Sequence, residues 1–132
     1  MRKLTIAVDF DGTLVEHKFP VIGEAYPGAF EALLALQSQG HDIMLFTCRE
    51  DCEEGPYLTE AVEYCRGKGL EFVSVNENTP YYKSLGFGCR KPYFDILVDD
   101  RSGFLPKCWG SIQMWVDYEL ENGALPNYKD EE

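Results

Sequence analysis

The sequence predicts an α/β fold, a three-layer α/β/α sandwich built on a parallel sheet, and three observations carry that prediction. Short β-branched and aliphatic runs alternate with stretches of helical period. Glycines stand where the helices should stop, and three of the runs end in acidic or hydroxyl side chains. Alternation of this kind calls for right-handed βαβ crossovers that cover the sheet with helices.

The first run, Leu4 to Val8, is aliphatic and stops at a carboxylate, as a buried strand does at its end. A polar loop from Thr13 to Gly28, the size of a flap, follows. Phe30, Leu33 and Leu34 then hold helical spacing up to Gly40. Asp42 to Thr47 predicts a second strand. Leu58, Ala61, Val62 and Cys65 form an i, i+3, i+4, i+7 stripe closed by Gly67 and Gly69. Glu71 to Val75 reads as a third strand. Asn76 to Arg90, with Pro80, Gly86 and Gly88, reads as a loop with one turn of helix. Asp95 to Val98 predicts a fourth strand running into Asp99 and Asp100. Ile112, Trp115, Val116 and Leu120 mark a last helix ended by Gly123, before a polar tail from Asn127.

All 132 residues read as a single domain, since no repeat or linker divides them. A chain of this size hides roughly two-thirds of its unfolded surface. Its 45% hydrophobic and 14% aromatic content can therefore supply a core without disulfides or a structural metal. Twelve Lys and Arg against twenty-three Asp and Glu leave a net charge of −11, which repels phosphate backbones and anionic lipid, so no nucleic-acid or membrane partner is expected. Five cysteines, an odd number, fit a reducing, cytoplasmic setting. Cys48 and Cys52 lack the second pair or nearby His that a zinc site needs, and read as ordinary thiols. Asp9 and Asp11 interrupt the N-terminal apolar stretch too early for a signal peptide, and the longest unbroken apolar run, Ala32 to Leu36, is far too short to span a membrane.

Parallel sheets bind ligands at the carboxyl ends of their strands. Asp9 and Asp11 follow the first strand, Thr47 ends the second, and Asp99 and Asp100 end the fourth, so four carboxylates should meet at one edge. Such a cluster raises its own pKa values or is neutralised by a cation, and an all-oxygen set suits Mg²⁺. It also offers a nucleophile, an acid/base, a tight turn at Gly12, hydroxyls at Thr13 and Thr47, and cations at Arg49 and Lys91.

The order Asp9-Phe10-Asp11-Gly12-Thr13-Leu14, then Thr47, Lys91 and Asp99-Asp100 resembles the four motifs of the haloacid dehalogenase (HAD) superfamily of phosphohydrolases, over Leu4 to about Gly103. The resemblance implies a Rossmann-like sheet and a Mg²⁺-dependent phosphomonoester hydrolase acting through an aspartyl-phosphate. Asp9 resembles the nucleophile, Asp11 the general acid/base, Thr47 the phosphoryl-binding hydroxyl, Lys91 the charge-stabilising cation, and Asp99 with Asp100 the acidic metal pair, with Mg²⁺ held partly by the backbone carbonyl at Asp11. Asp at position 9 with a second Asp at 11 points to the phosphatase branch. Arg90 and Lys83 compete with Lys91 for the third motif. Neither Thr13 to Gly28 nor Arg49 to Arg90 has room for a cap domain, so the resemblance is to small capless members, with a phosphorylated small molecule as the expected substrate.

Arg49 reads either as a grip on a substrate anion or as a partner of Glu50, Asp51, Glu53 or Glu54. His17 and Lys18 lie on the flap, where a single exposed His is ordinarily a surface residue. Tyr81, Tyr82, Phe87, Trp109 and Trp115 read as packing or as anchors of a homo-oligomer that would cover an open site. The contrasting class is a non-catalytic phospho-acceptor module with a receiver-like acidic site. A receiver needs no acid/base two residues beyond its acceptor, and its acceptor usually ends the third strand.

Overall fold

Four parallel strands form the sheet in the computed structural model, which describes residues 3–86 and 90–122. Strand β1 (Thr5–Val8) is central. It pairs on one side with β2 (Asp42–Leu45), which pairs in turn with β5 (Ser74–Val75), and on the other side with β6 (Ile96–Val98). Aligned rows cross the sheet, Ile96–Ile6–Ile43 and Val98–Val8–Leu45. Alternation along strands sends those side chains to one face, where α1 (Ala29–Ser38), α2 (Tyr57–Gly67) and α4 (Ile112–Asn122) cover them.

Phe30, Leu33 and Leu36 of α1, Ala61 and Cys65 of α2, and Ile112 and Val116 of α4 complete this core. Gly40, at φ 97°, takes the left-handed turn that releases α1 into β2. The short α3 (Pro80–Ser84) fills the predicted single turn between β5 and β6, begun by Thr79, whose hydroxyl accepts the Tyr82 N–H. Buried Tyr82 lies outside the main apolar cluster and packs on Tyr93.

The architecture is the predicted α/β sandwich with a Rossmann-like parallel sheet, and the differences are local. The third strand shortens to Ser74–Val75, because as the sheet's edge it has only β2 to bond, although Val73 and Asn76 still donate to Ile43 and Leu45. A hairpin of β3 (Asp51–Cys52) and β4 (Gly55–Pro56) precedes α2, too short for any alternation to announce it. Asp51 then accepts the Thr59 N–H and hydroxyl at the start of α2, which holds its carboxyl below the usual range. Trp109 sits in a 3₁₀ turn at Pro106–Ser111 and is fully buried, as is Tyr82, so both fill this chain's own interior rather than anchoring a second subunit. Phe87, the stop at Gly123 and the tail from Asn127 lie outside the described residues. No helix among those described is long and apolar enough to cross a membrane.

The chain steps outward from β1 to β2 to β5, then returns across the sheet to β6 on the far side of β1. Beyond the carboxyl ends of β1 and β6 lies the resulting crevice, where such sheets hold their ligands.

Candidate active site

At the end of β1, the Asp9 N–H donates to the Val98 carbonyl and so continues the sheet towards β6. The chain then turns tightly: the Phe10 carbonyl accepts from the amides of Thr13, Leu14 and Val15, while buried Phe10 and Leu14 pin the turn from below. Gly12 makes this possible. Its φ is 83°, and a β-carbon there would lie 2.8 Å from an Asp100 carboxylate oxygen. The missing side chain lets the loops after β1 and β6 meet.

Thr13 joins them. Its hydroxyl faces Asp9 Oδ2 at 3.4 Å and Asp100 Oδ1 at 3.2 Å and accepts the Asp100 N–H at 3.0 Å. Its carbonyl accepts the buried indole N–H of Trp109 at 2.9 Å. Asp99 caps a short 3₁₀ turn by accepting the Arg101 N–H. Asp9, Asp99 and Asp100 can each aim one carboxylate oxygen so that all three lie within 4.8 Å of one another.

Burial and this crowding push the Asp9 carboxyl up from its usual 3.8 to about 7. Desolvation is the largest cause; the charges of Asp99 and Asp100 add to it, and a bond from the Phe10 amide partly opposes it. A carboxyl raised in the folded state contributes nothing below about pH 4, where both states hold the proton. Between pH 3.8 and about 7 the unfolded chain ionises more readily, so the native state loses stability as pH rises, fully so above 7. In metal-free protein the stability gained by Asp9→Asn should therefore widen across that window, as urea unfolding at stepped pH would read. A constant difference would mean that Asp9 ionises normally.

These residues line a pocket of about 460 Å³ together with Asp11, His17, Phe19, Phe46, Thr47, Cys48, Arg49 and Arg101. Thr47 is placed by its amide, which donates to Asn76 Oδ1 at 2.8 Å, and its hydroxyl accepts the Arg49 N–H. Asp11 lies apart from the acidic trio, since Arg49 takes both its oxygens, at 2.7 and 2.9 Å. Its carboxylate is thus a partner of Arg49 rather than a fourth arm of the metal cluster. Arg49 accordingly pairs with neither a waiting anion site nor the acids at 50–54.

Thr13 and Gly12 are buried and organise the loop, rather than presenting side chains to a substrate. Lys91 is exposed and is not a lining residue, and Lys83 pairs with Glu77 at 2.7 Å. His17 does line the pocket. Arg101, Phe46 and Phe19 went unnoticed in the sequence; only Arg101, beside the acidic pair, had a local signal.

Among solved structures, the chain is similar to a conserved protein coded by a locus of Bacteroides thetaiotaomicron, with a TM-score of 0.76 and 44% identity over 89% of this chain and 93% of that one. No protein-family model matches the sequence, and neither does any curated protein.

Proposed function

The chain belongs to the family of that conserved Bacteroides thetaiotaomicron protein, and from the acidic cluster at the switch point of the fold we propose that it is a Mg²⁺-dependent phosphomonoester hydrolase of the HAD type. One observation carries the reading. Three carboxylates from β1 and β6 converge on one point, and burial with the charges of the other two pushes Asp9 up, the crowding that a divalent cation would relieve.

The donor set fits the ion: all oxygen, two strand ends, and a pocket wide enough for water and a phosphoryl group. Asp9, Asp99 and Asp100 are the side chains that would hold it. Bound there, Mg²⁺ would offset the carboxylate repulsion and the charge of the phosphoryl oxygens.

The chain's own groups then divide the work. The Asp9 carboxylate attacks phosphorus, forming an aspartyl-phosphate as the ester oxygen departs. Asp11 enters this step protonated and gives that oxygen its proton, so that the alcohol leaves and the carboxylate left behind is the form Arg49 grips. Asp11 next takes a proton from water, whose oxygen attacks the same phosphorus, so that inorganic phosphate is released and Asp9 is regenerated. Thr47 offers its hydroxyl to the phosphoryl group from the end of β2.

Purified protein with Mg²⁺ and an aryl phosphate should release many phosphates per molecule, and chelation should stop it. Activity without a metal would overturn the carboxylate-cage reading, and a single stoichiometric phosphorylation would indicate the phospho-acceptor class. Asp11→Asn should reduce hydrolysis of alkyl phosphates by roughly 10²- to 10⁴-fold, the usual contribution of a positioned acid/base. Aryl phosphates should suffer less, because a good leaving group needs little protonation. Equal losses in both series would remove Asp11 from leaving-group protonation.

A further inference from the structure

We propose that Arg49 is a positioning residue that holds Asp11 for proton transfer and ties it to the flap over the pocket; this rests on the phosphohydrolase reading above. The guanidinium is buried, with Arg49 only 3% exposed, and it commits four of its five N–H donors. Nε and one terminal nitrogen grip the two oxygens of Asp11 side-on. The same terminal nitrogen reaches the Val21 carbonyl at 3.4 Å, and the other reaches the Tyr57 carbonyl at 3.2 Å. Two aromatic rings, Phe10 and Phe19, each lie 5.1 Å from the guanidinium carbon.

These contacts come from four separate segments. Phe10 and Asp11 belong to the turn after β1, Phe19 and Val21 to the flap, Arg49 to the chain leaving β2, and Tyr57 to the start of α2. Phe19 also packs edge-on against the Tyr57 ring at 5.2 Å. A planar cation with its fork filled cannot turn towards a substrate anion without abandoning a half-buried carboxylate, which is unfavourable. The bidentate grip instead fixes which way the Asp11 oxygens face. Phe19 is 47% exposed and needs no place in the chemistry, yet the flap cannot lift without drawing its ring off the guanidinium. Asp11 and the flap therefore move together.

Kinetics of Arg49→Lys and Phe19→Ala on an alkyl and an aryl phosphate, with Mg²⁺, test the tie. Lysine keeps the charge but not the fork, so kcat on the alkyl ester should fall roughly 10- to 100-fold, as small misplacements of a reacting group do, with KM nearly unchanged and the aryl ester spared. Phe19→Ala should show the same pattern more weakly. Adding Arg49→Lys to Asp11→Asn should bring no further loss on the alkyl ester. A raised KM with intact kcat would make Arg49 a substrate grip, and losses that multiply in the double variant would make it independent of Asp11; either overturns the proposal.

A second readout needs no turnover. The Arg49 Nε–H resonance should be slow to exchange in the wild type, lost in Asp11→Asn and shifted in Phe19→Ala. A resonance indifferent to Asp11→Asn overturns the tie. If it behaves as expected while the wild type hydrolyses no phosphate ester, the tie stands as a structural coupling and the phosphohydrolase reading is what fails.

Discussion

Asp9→Asn should abolish turnover, with a loss of roughly 10³-fold or more, while the protein stays folded and is more stable above neutral pH in the absence of metal. The substitution keeps the shape of the side chain and its place at the end of β1, where the backbone N–H still reaches Val98. It removes the attacking oxygen's charge and one of three carboxylates within 4.8 Å. The two effects have opposite signs, loss of catalysis and gain of stability, because the same crowding that raises Asp9 to about 7 burdens the native state. Mg²⁺ should erase the stability gain by offsetting the charge in the wild type. A variant that hydrolyses phosphate esters at the wild-type rate would dismiss Asp9 as nucleophile, and one that is less stable than wild type at pH 8 without metal would contradict the account of crowding.

Trp109→Ala should be the most destabilising single change, by about 3–5 kcal/mol, the range for emptying a large aromatic site. Trp109 is fully buried, packs edge-on against Phe104 at 4.9 Å, and its indole N–H reaches the Thr13 carbonyl at 2.9 Å. Trp109→Phe separates the two contributions. It keeps most of the packing but leaves the Thr13 carbonyl unsatisfied, for about 1–3 kcal/mol. Since Thr13 spans Asp9 and Asp100, the Phe variant should also weaken Mg²⁺ binding, measured by calorimetry beside urea unfolding. Both variants matching wild type would mean that the 3₁₀ turn does not support the catalytic loop.

Strand ends, helix stripes and their order were legible in the sequence because each depends on neighbours within a few residues. Leu4 to Val8 can be buried only as a strand, the stripe from Leu58 to Cys65 only as a helix face, and parallel alternation sends Asp9, Thr47, Asp99 and Asp100 to one edge by topology alone. Side-chain partnership obeys no such local rule. Asp11 and Arg49 are 38 residues apart, Thr13 and Asp100 are 87, and Thr13 and Trp109 are 96. From the sequence, Arg49 suited a substrate anion or the nearer acids at 50–54, Asp11 belonged with the other carboxylates, Trp109 suited the core or a subunit contact, and Thr13 a phosphate. Tertiary packing decided among these: the crossover brings β2's exit against the turn after β1, where a half-buried carboxylate and a buried guanidinium each satisfy the other's charge. The same packing presses Gly12 against Asp100 and gathers Asp9 with Asp99 and Asp100.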